Sequence, residues 1–303
     1  MTGARGRAVL AALAGALVLL GAGPSGGSFG RGVLENRAYR VWTPTRVAPE
    51  RPLIVALHGC WQTPEDFAAG TRLNEAAERR GLVVVYPAQS RHENPYRCWN
   101  WFDSAQQQAT GTEPAQILAI ARRVQSERQL REGRFLVLGF SAGAWMAVNL
   151  ACAVPDSVAG IGASAGGPYR CASGPESAIQ CLRGPAPDRG QAAAAACAGG
   201  RLTGLRASLW HGALDSVVSP ANLTALEAML ARLLAVSGGA TATEDGGAVH
   251  AVYRDARGVP VLETWLVPGM AHAWSGGDGR ATHTWPPGPS ATERMLDFLL
   301  SGR

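Results

Sequence analysis

Residues 135–146 read FLVLGFSAGAWM. The four apolar residues Phe135, Leu136, Val137 and Leu138 form a short continuous run and predict a fully buried strand. Gly139-Phe140-Ser141-Ala142-Gly143 follows, and then a helix-tolerant apolar run, Ala144-Trp145-Met146-Ala147-Val148. A strand, a G-x-S-x-G turn and a helix together make an elbow that carries the serine at its tip. So sharp a turn strains the serine backbone, and a Cβ on the flanking positions would strike the strand or the helix. Glycine therefore stands two before and two after. The geometry lifts the Ser141 hydroxyl clear of the sheet edge. It also aims the Ala142 N–H at the place where an oxyanion would form. Ser141 is the candidate nucleophile.

The motif is short, and in a chain with 38 Gly it recurs at 23–27, 139–143 and 162–166. The first copy lies in a Gly-rich stretch near the N-terminus. The third, around Ser164, runs into Gly-Gly-Pro-Tyr, which cannot open a helix. Only Ser141 has both flanking elements, and Ser164 is read as an ordinary strand-end residue.

The 303 residues are 47% apolar, enough for one large α/β domain. All 28 basic residues are Arg, scattered singly or in pairs, and the net charge is +5. That dispersal fits a solvated surface and disfavours a nucleic-acid partner. Arg5 and Arg7, the Ala/Leu-rich run 8–20 and the small residues 21–23 form a secretory signal peptide, residues 1–23. The run is short for a transmembrane span, so no stable membrane anchor is expected. Residues 24–36 are expected to be a mobile leader and 37–303 a single catalytic domain. The six cysteines are Cys60, Cys98, Cys152, Cys171, Cys181 and Cys197. An even count in an exported chain suggests disulfides, with the pairing open. Clustered His/Cys spacing is missing, which disfavours structural zinc. Nothing in the sequence calls for a metal or organic cofactor.

Along the chain, strand and helix signals alternate. Arg40-Val41-Trp42 reads as a strand stopped by Pro44. Residues 53–57, LIVAL, read as a buried parallel strand ending in His58-Gly59-Cys60. Thr63-Pro64-Glu65-Asp66 opens a helix that Gly81 closes. Residues 82–86 are the next strand, and a long loop holding CWNWF at 98–102 follows. Ile117, Ile120, Ala121 and Val124 keep helical spacing on one face. Residues 158–163 and 207–210 read as strands, with 166–200 between them a loop or small lid. Leu223, Leu226, Leu230, Leu233 and Leu234 mark a helix, and 238–247 a flexible insert. Two strands, 249–254 and 261–267, precede a last helix opened by Ser290 and Glu293. The alternation predicts an α/β fold, a doubly wound, mostly parallel sheet flanked by helices.

A serine nucleophile needs a base, and the base needs a carboxylate to hold its tautomer. On an α/β-hydrolase fold these follow in the order Ser, Asp or Glu, His, each after a strand. Ser141, Asp215 and His272 meet that order. The other five histidines are not both late in the chain and post-strand, and are read as structural. The Cys60 N–H, in the loop after strand 53–57, is the candidate second oxyanion donor beside Ala142. The aromatic residues Trp61, Trp99, Trp101 and Trp274 are candidates for a substrate wall; packing of loops onto the body is the alternative.

Seven segments then carry a specific resemblance: LHGC at 57–60, CWNWF at 98–102, GFSAG at 139–143, GGPYRC at 166–171, HGALDSVVSPAN at 211–222, YRDARGVPVLETWLV at 253–267 and GMAHAWSGG at 269–277. In this order they resemble the polyhydroxybutyrate depolymerase-like esterases, α/β-hydrolases related to feruloyl and acetylxylan esterases. The resemblance implies serine-esterase chemistry with Ser141 as nucleophile, Asp215 as orienter and His272 as general base. It also implies a Cys60–Cys98 disulfide. Cys171–Cys181 looks like a second pair, which leaves Cys152 and Cys197. The chain departs from the family at Ala144-Trp145, where Trp145 either reshapes the pocket floor or packs. The linker and polymer-binding domain of many extracellular depolymerases is not expected.

The expected function is a secreted serine esterase whose partner is an ester substrate, by preference a hydroxyalkanoate oligomer or polyester. A feruloyl or acetyl esterase acting on plant polysaccharide is the alternative within enzymes. A non-catalytic binding protein on a hydrolase scaffold is the alternative from another class.

Overall fold

The computed structural model describes residues 26–185, 188–197 and 202–301. The expected signal peptide, 1–23, lies outside the described residues. The described chain starts with an antiparallel hairpin of β1 (Ser28–Leu34) and β2 (Arg37–Thr43). Over the described residues 26–36, this corrects the mobile leader expected for 24–36. The glycines that suggested mobility sit against aromatic rings of the partner strand: a Cβ at Gly27 would meet Trp42, and one at Gly32 would meet Tyr39. They are packing positions, not hinges.

From there strands and helices alternate. In order they are β3 (Ile54–Leu57), α1 (Pro64–Thr71), α2 (Leu73–Arg80), β4 (Val84–Pro87), α3 (Thr112–Glu127), β5 (Phe135–Phe140) and α4 (Ala142–Ala153). Next come β6 (Val158–Ser164), α5 (Pro175–Arg183), α6 (Arg189–Ala196), β7 (Arg206–Gly212), α7 (Ala221–Leu233), β8 (Thr241–Asp245), β9 (Ala248–Arg254) and β10 (Pro260–Val267). The two-residue strands β11 (Trp274–Ser275) and β12 (Thr284–Trp285) and the helix α8 (Ala291–Leu300) complete it. Among the described residues one ten-stranded sheet runs in the order β1-β2-β4-β3-β5-β6-β7-β10-β9-β8. The segment β4 to β10 is parallel, and β1, β2, β9 and β8 extend it antiparallel at the two edges.

Alternate residues of the central strands feed two cores. Val55, Leu57, Val85 and Val137 pack with α3, α4 and α7, whereas Ile54, Ala56, Leu136 and Leu138 pack with α1, α2 and α8. Burial on both faces explains why these strands read as continuous apolar runs.

Three local expectations are revised. The helix from Thr63 to Gly81 is two helices, because Arg72 adopts φ 54° between α1 and α2. The stretch 166–200 carries α5 and α6, and disulfides Cys171–Cys181 and Cys152–Cys197 tie it down. The insert expected at 238–247 supplies the edge strand β8, paired along β9.

Candidate active site

Ser141 sits between β5 and α4 with φ 53° and ψ −120°, a conformation that L-residues rarely hold without support. The support is close packing around it. A Cβ on Gly139 would run into the backbone of Gly143, and one on Gly143 into the carbonyls of Leu57 and His58 at the end of β3. The Ser141 N–H donates to the Ser164 carbonyl at 2.9 Å, so the third motif copy serves the second through its backbone. Helix α4 is buried from Ala142 to Cys152, which holds the elbow rigid.

The elbow faces two loops at the same end of the sheet. Asp215 follows β7 and His272 follows β10, neighbouring parallel strands. Gly212 lets these loops touch, since a Cβ there would strike the Met270 and Ala271 carbonyls. The Ala213 N–H donates to the Val267 carbonyl at 3.0 Å and the Leu214 N–H to the Met270 carbonyl at 2.9 Å. Zipped together, they bring His272 Nδ1 within 2.7 Å of Asp215 Oδ2 and Nε2 within 2.9 Å of Ser141 Oγ. Nδ1–H donates to the carboxylate. Nε2 is therefore left bare to accept the serine hydroxyl hydrogen.

Asp215 Oδ1 accepts the N–H groups of Val217 and Val218 at 2.9 and 2.8 Å. Burial pushes this carboxyl up, but the hydrogen bond and charge of His272, the Val218 N–H and His211 outweigh it and hold it below the usual aspartate value. His211 stands behind the acid, 3.5 Å from Oδ2. Its Nε2–H donates to the Val218 carbonyl at 2.9 Å, and burial pushes its pKa down against that hydrogen bond and the Asp215 charge.

The loop after β3 uses its donors unevenly. The Gly59 N–H goes to Gln62 Oε1, the Trp61 N–H to the Tyr96 carbonyl and the Gln62 N–H to the Gly59 carbonyl. Among the described residues the Cys60 and Ala142 N–H groups have no intramolecular acceptor. Those are the two donors that the sequence nominated for an oxyanion. His58 braces the loop. Its Nδ1–H donates to the Gly59 carbonyl, its Nε2 accepts the Gln89 N–H, and burial pulls its pKa down to about 4. The Cys60–Cys98 disulfide joins this loop to the aromatic loop.

The substrate wall is largely corrected. Trp99, Trp101 and Trp274 are core residues: Trp99 Nε1–H donates to the His58 carbonyl, Trp274 Nε1–H donates to Thr292 Oγ1, and Trp101 stacks on Trp145 at 4.3 Å. Their rings are buried in packing. Trp145 therefore packs, and Gly167 leaves it room. Trp61, by contrast, is 57% exposed and lies 5.1 Å from the exposed Tyr96 ring. Leu214 and Val217, flanking Asp215, are also exposed. Tyr96, Leu214 and Val217 escaped the sequence reading; the signal was apolar residues inside segments that turn, where no core position was available.

The aromatic loop rests on buried polar groups. Glu113 accepts the Asn100 N–H at 2.9 Å, Asn100 Nδ2 at 2.7 Å and Gln89 Nε2. Gln89 also accepts from Arg37, whose guanidinium pairs with Glu93. Among the described residues no cluster of metal-ligating side chains occurs.

A protein-family profile described as "Esterase PHB depolymerase" matches residues 37–252. Poly(3-hydroxyalkanoate) depolymerase C of Paucimonas lemoignei is 32% identical over 235 residues, 76% of this chain and 56% of that protein. Feruloyl esterase B of Talaromyces funiculosus is 28% identical over 228 residues, 71% of this chain and 64% of that protein. The chain thus spans little more than half the length of the first of these relatives. Among solved structures, an acetyl xylan esterase from Aspergillus awamori superposes with a TM-score of 0.70 at 16% identity, covering 90% of this chain and 99% of that one. That likeness is one of fold.

Proposed function

Because the chain belongs to the PHB depolymerase esterase family, we propose that it is a secreted serine esterase that cleaves carboxylic esters through an acyl-enzyme. The observation that carries this reading is the continuous relay from Ser141 Oγ to His272 to Asp215 at a strained elbow. His272 Nε2 takes the hydroxyl proton as Oγ attacks the ester carbonyl. The tetrahedral oxyanion is received by the Cys60 and Ala142 N–H groups. The imidazolium, held by Asp215, returns its proton to the leaving alcohol. Water then repeats the cycle on the acyl-enzyme and releases the acid.

The favoured substrate is a hydroxyalkanoate oligomer or polyester. Exposed Trp61, Tyr96, Leu214 and Val217 suit an alkyl ester, and the relative from Paucimonas lemoignei is named for such a polymer. Ester hydrolysis of plant polysaccharide is the second reading, supported by the feruloyl esterase relative. Export is supported by three disulfides with no free cysteine among the described residues. The test is a side-by-side assay on 3-hydroxybutyrate oligomers and methyl ferulate, with Ser141→Ala as blank. Oligomer hydrolysis without ferulate release supports the first reading, and the reverse moves the protein to cell-wall esters. Full activity in Ser141→Ala, or failure of a serine-reactive probe to label Ser141, overturns the mechanism.

A further inference from the structure

A cleft of about 880 Å³ opens at the opposite end of the sheet from Ser141. Its walls are the entries to the parallel strands: Pro52 before β3, Arg134 before β5, Arg206 at the start of β7 and Pro260 at the start of β10. Arg134 and Ser141 bracket the six residues of β5, which at about 3.3 Å per residue puts the two ends about 20 Å apart. Ligand-sized clefts lie in the same volume range.

The chemistry of this cleft is cationic. Arg51, Arg131 and Arg257 line it beside Arg134 and Arg206, against two carboxylates, Glu50 and Glu132. Among the described residues Arg257 is paired with Asp255, and the other four arginines make no ion pair. Arg134 donates to the carbonyls of Val158 and Thr203, and Arg206 to that of Ser301. Carbonyls satisfy geometry but carry no countercharge. Arg206 Nε is buried without a partner among the described residues. Burial lowers the pKa of both guanidiniums, with Asp156 and Glu263 opposing only at a distance. Leu205 and Val261 give the cleft an apolar floor. Guanidinium forks match carboxylate and phosphate oxygens two at a time.

We propose that this cleft is a binding site for a small organic anion bearing two or more carboxylate or phosphate groups, separate from the ester site. Arg51, Arg131, Arg134 and Arg206 supply the guanidiniums that hold it. The proposal does not depend on the esterase reading. The test is calorimetric titration of the purified, oxidised protein with citrate and, separately, inorganic tripolyphosphate. The expected result is saturable binding with Kd below about 1 mM at low salt, weakened by added salt. Arg51→Ala/Arg131→Ala removes two lining side chains that make no ion pair among the described residues and should weaken binding about tenfold or more, with melting temperature and hydrolysis of a soluble ester unchanged. Citrate binding alone assigns a carboxylate ligand, tripolyphosphate alone a phosphate ligand, and both together support the shared chemistry. No saturable binding of either anion, or equal affinity in the double variant, overturns the site.

Discussion

At the scale of single residues, Asp215 divides its work between two oxygens. Oδ1 is fixed by the N–H groups of Val217 and Val218, so Oδ2 has one orientation toward His272. Asparagine at this position keeps the shape but can present an N–H₂ to Nδ1, which flips the imidazole tautomer and blocks the path to Ser141. Asp215→Asn should therefore lower kcat by about 10⁴-fold, with KM and the circular dichroism spectrum little changed. Stopped-time hydrolysis of a soluble nitrophenyl ester measures this, and a near-native kcat would remove Asp215 from the relay. Trp61 makes the opposite kind of prediction. Its ring is 57% exposed, so its loss costs little packing. Trp61→Ala should leave the melting temperature and the rate on a small soluble ester unchanged while lowering hydrolysis of amorphous polyester several-fold. Equal loss on both substrates would mean that the ring supports the Cys60 loop and does not meet polymer.

At the scale of elements, the buried group that matters is Glu113 on α3. Burial raises its pKa to about 7, against the Asn100 and Gln89 hydrogen bonds and the nearby Arg37 charge that favour the carboxylate. A carboxyl raised above its unfolded value contributes stability that is full below about 4.5 and is lost as pH rises through about 7. His58, lowered to about 4, acts in the other direction, losing its contribution as pH falls through the same window. The two partly cancel in the native protein, so the contrast with Glu113→Gln isolates one of them. Between pH 5 and pH 8 the wild type should lose on the order of 2 kcal/mol more than the variant, read by urea unfolding at each pH. Parallel curves would show that Glu113 titrates normally.

Much at this scale was legible before the structure. The runs at β3 and β5 are apolar on both faces, and the elbow, acid loop and histidine loop follow β5, β7 and β10. Those signals are local, and the structure joins Ser141, His272 and Asp215 by hydrogen bonds at the ends of β5, β10 and β7 in one sheet. What failed was context. Gly27 and Gly32 look flexible until the rings of Trp42 and Tyr39 are seen to occupy their missing side chains. Trp99 and Trp101 look like a wall until tertiary packing fills both faces. A loop aromatic and a core aromatic are the same letter in one dimension.

At the scale of the whole molecule, three disulfides link parts that the sheet alone would leave separate. Cys60–Cys98 joins the β3 loop to the aromatic loop, Cys152–Cys197 joins the end of α4 to the end of α6, and Cys171–Cys181 closes a short loop onto α5. The residues are separated by 38, 45 and 10 positions respectively. In the chain-entropy picture the first two would each contribute about 4 kcal/mol and the third about 3. Stability and activity should therefore separate. Cys60→Ala/Cys98→Ala and Cys152→Ala/Cys197→Ala should lower the denaturation midpoint by similar amounts, and Cys171→Ala/Cys181→Ala by less. Only the first pair holds a proposed oxyanion donor, so only its loss should reduce kcat at a temperature where all three variants remain folded. Unfolding curves and kcat on one soluble ester, measured on the same preparations, give both quantities. If Cys60→Ala/Cys98→Ala kept a native kcat while losing stability, the Cys60 N–H would be held in place by the Gly59–Gln62 and Trp61–Tyr96 hydrogen bonds, and the bridge would be a staple without a part in the chemistry.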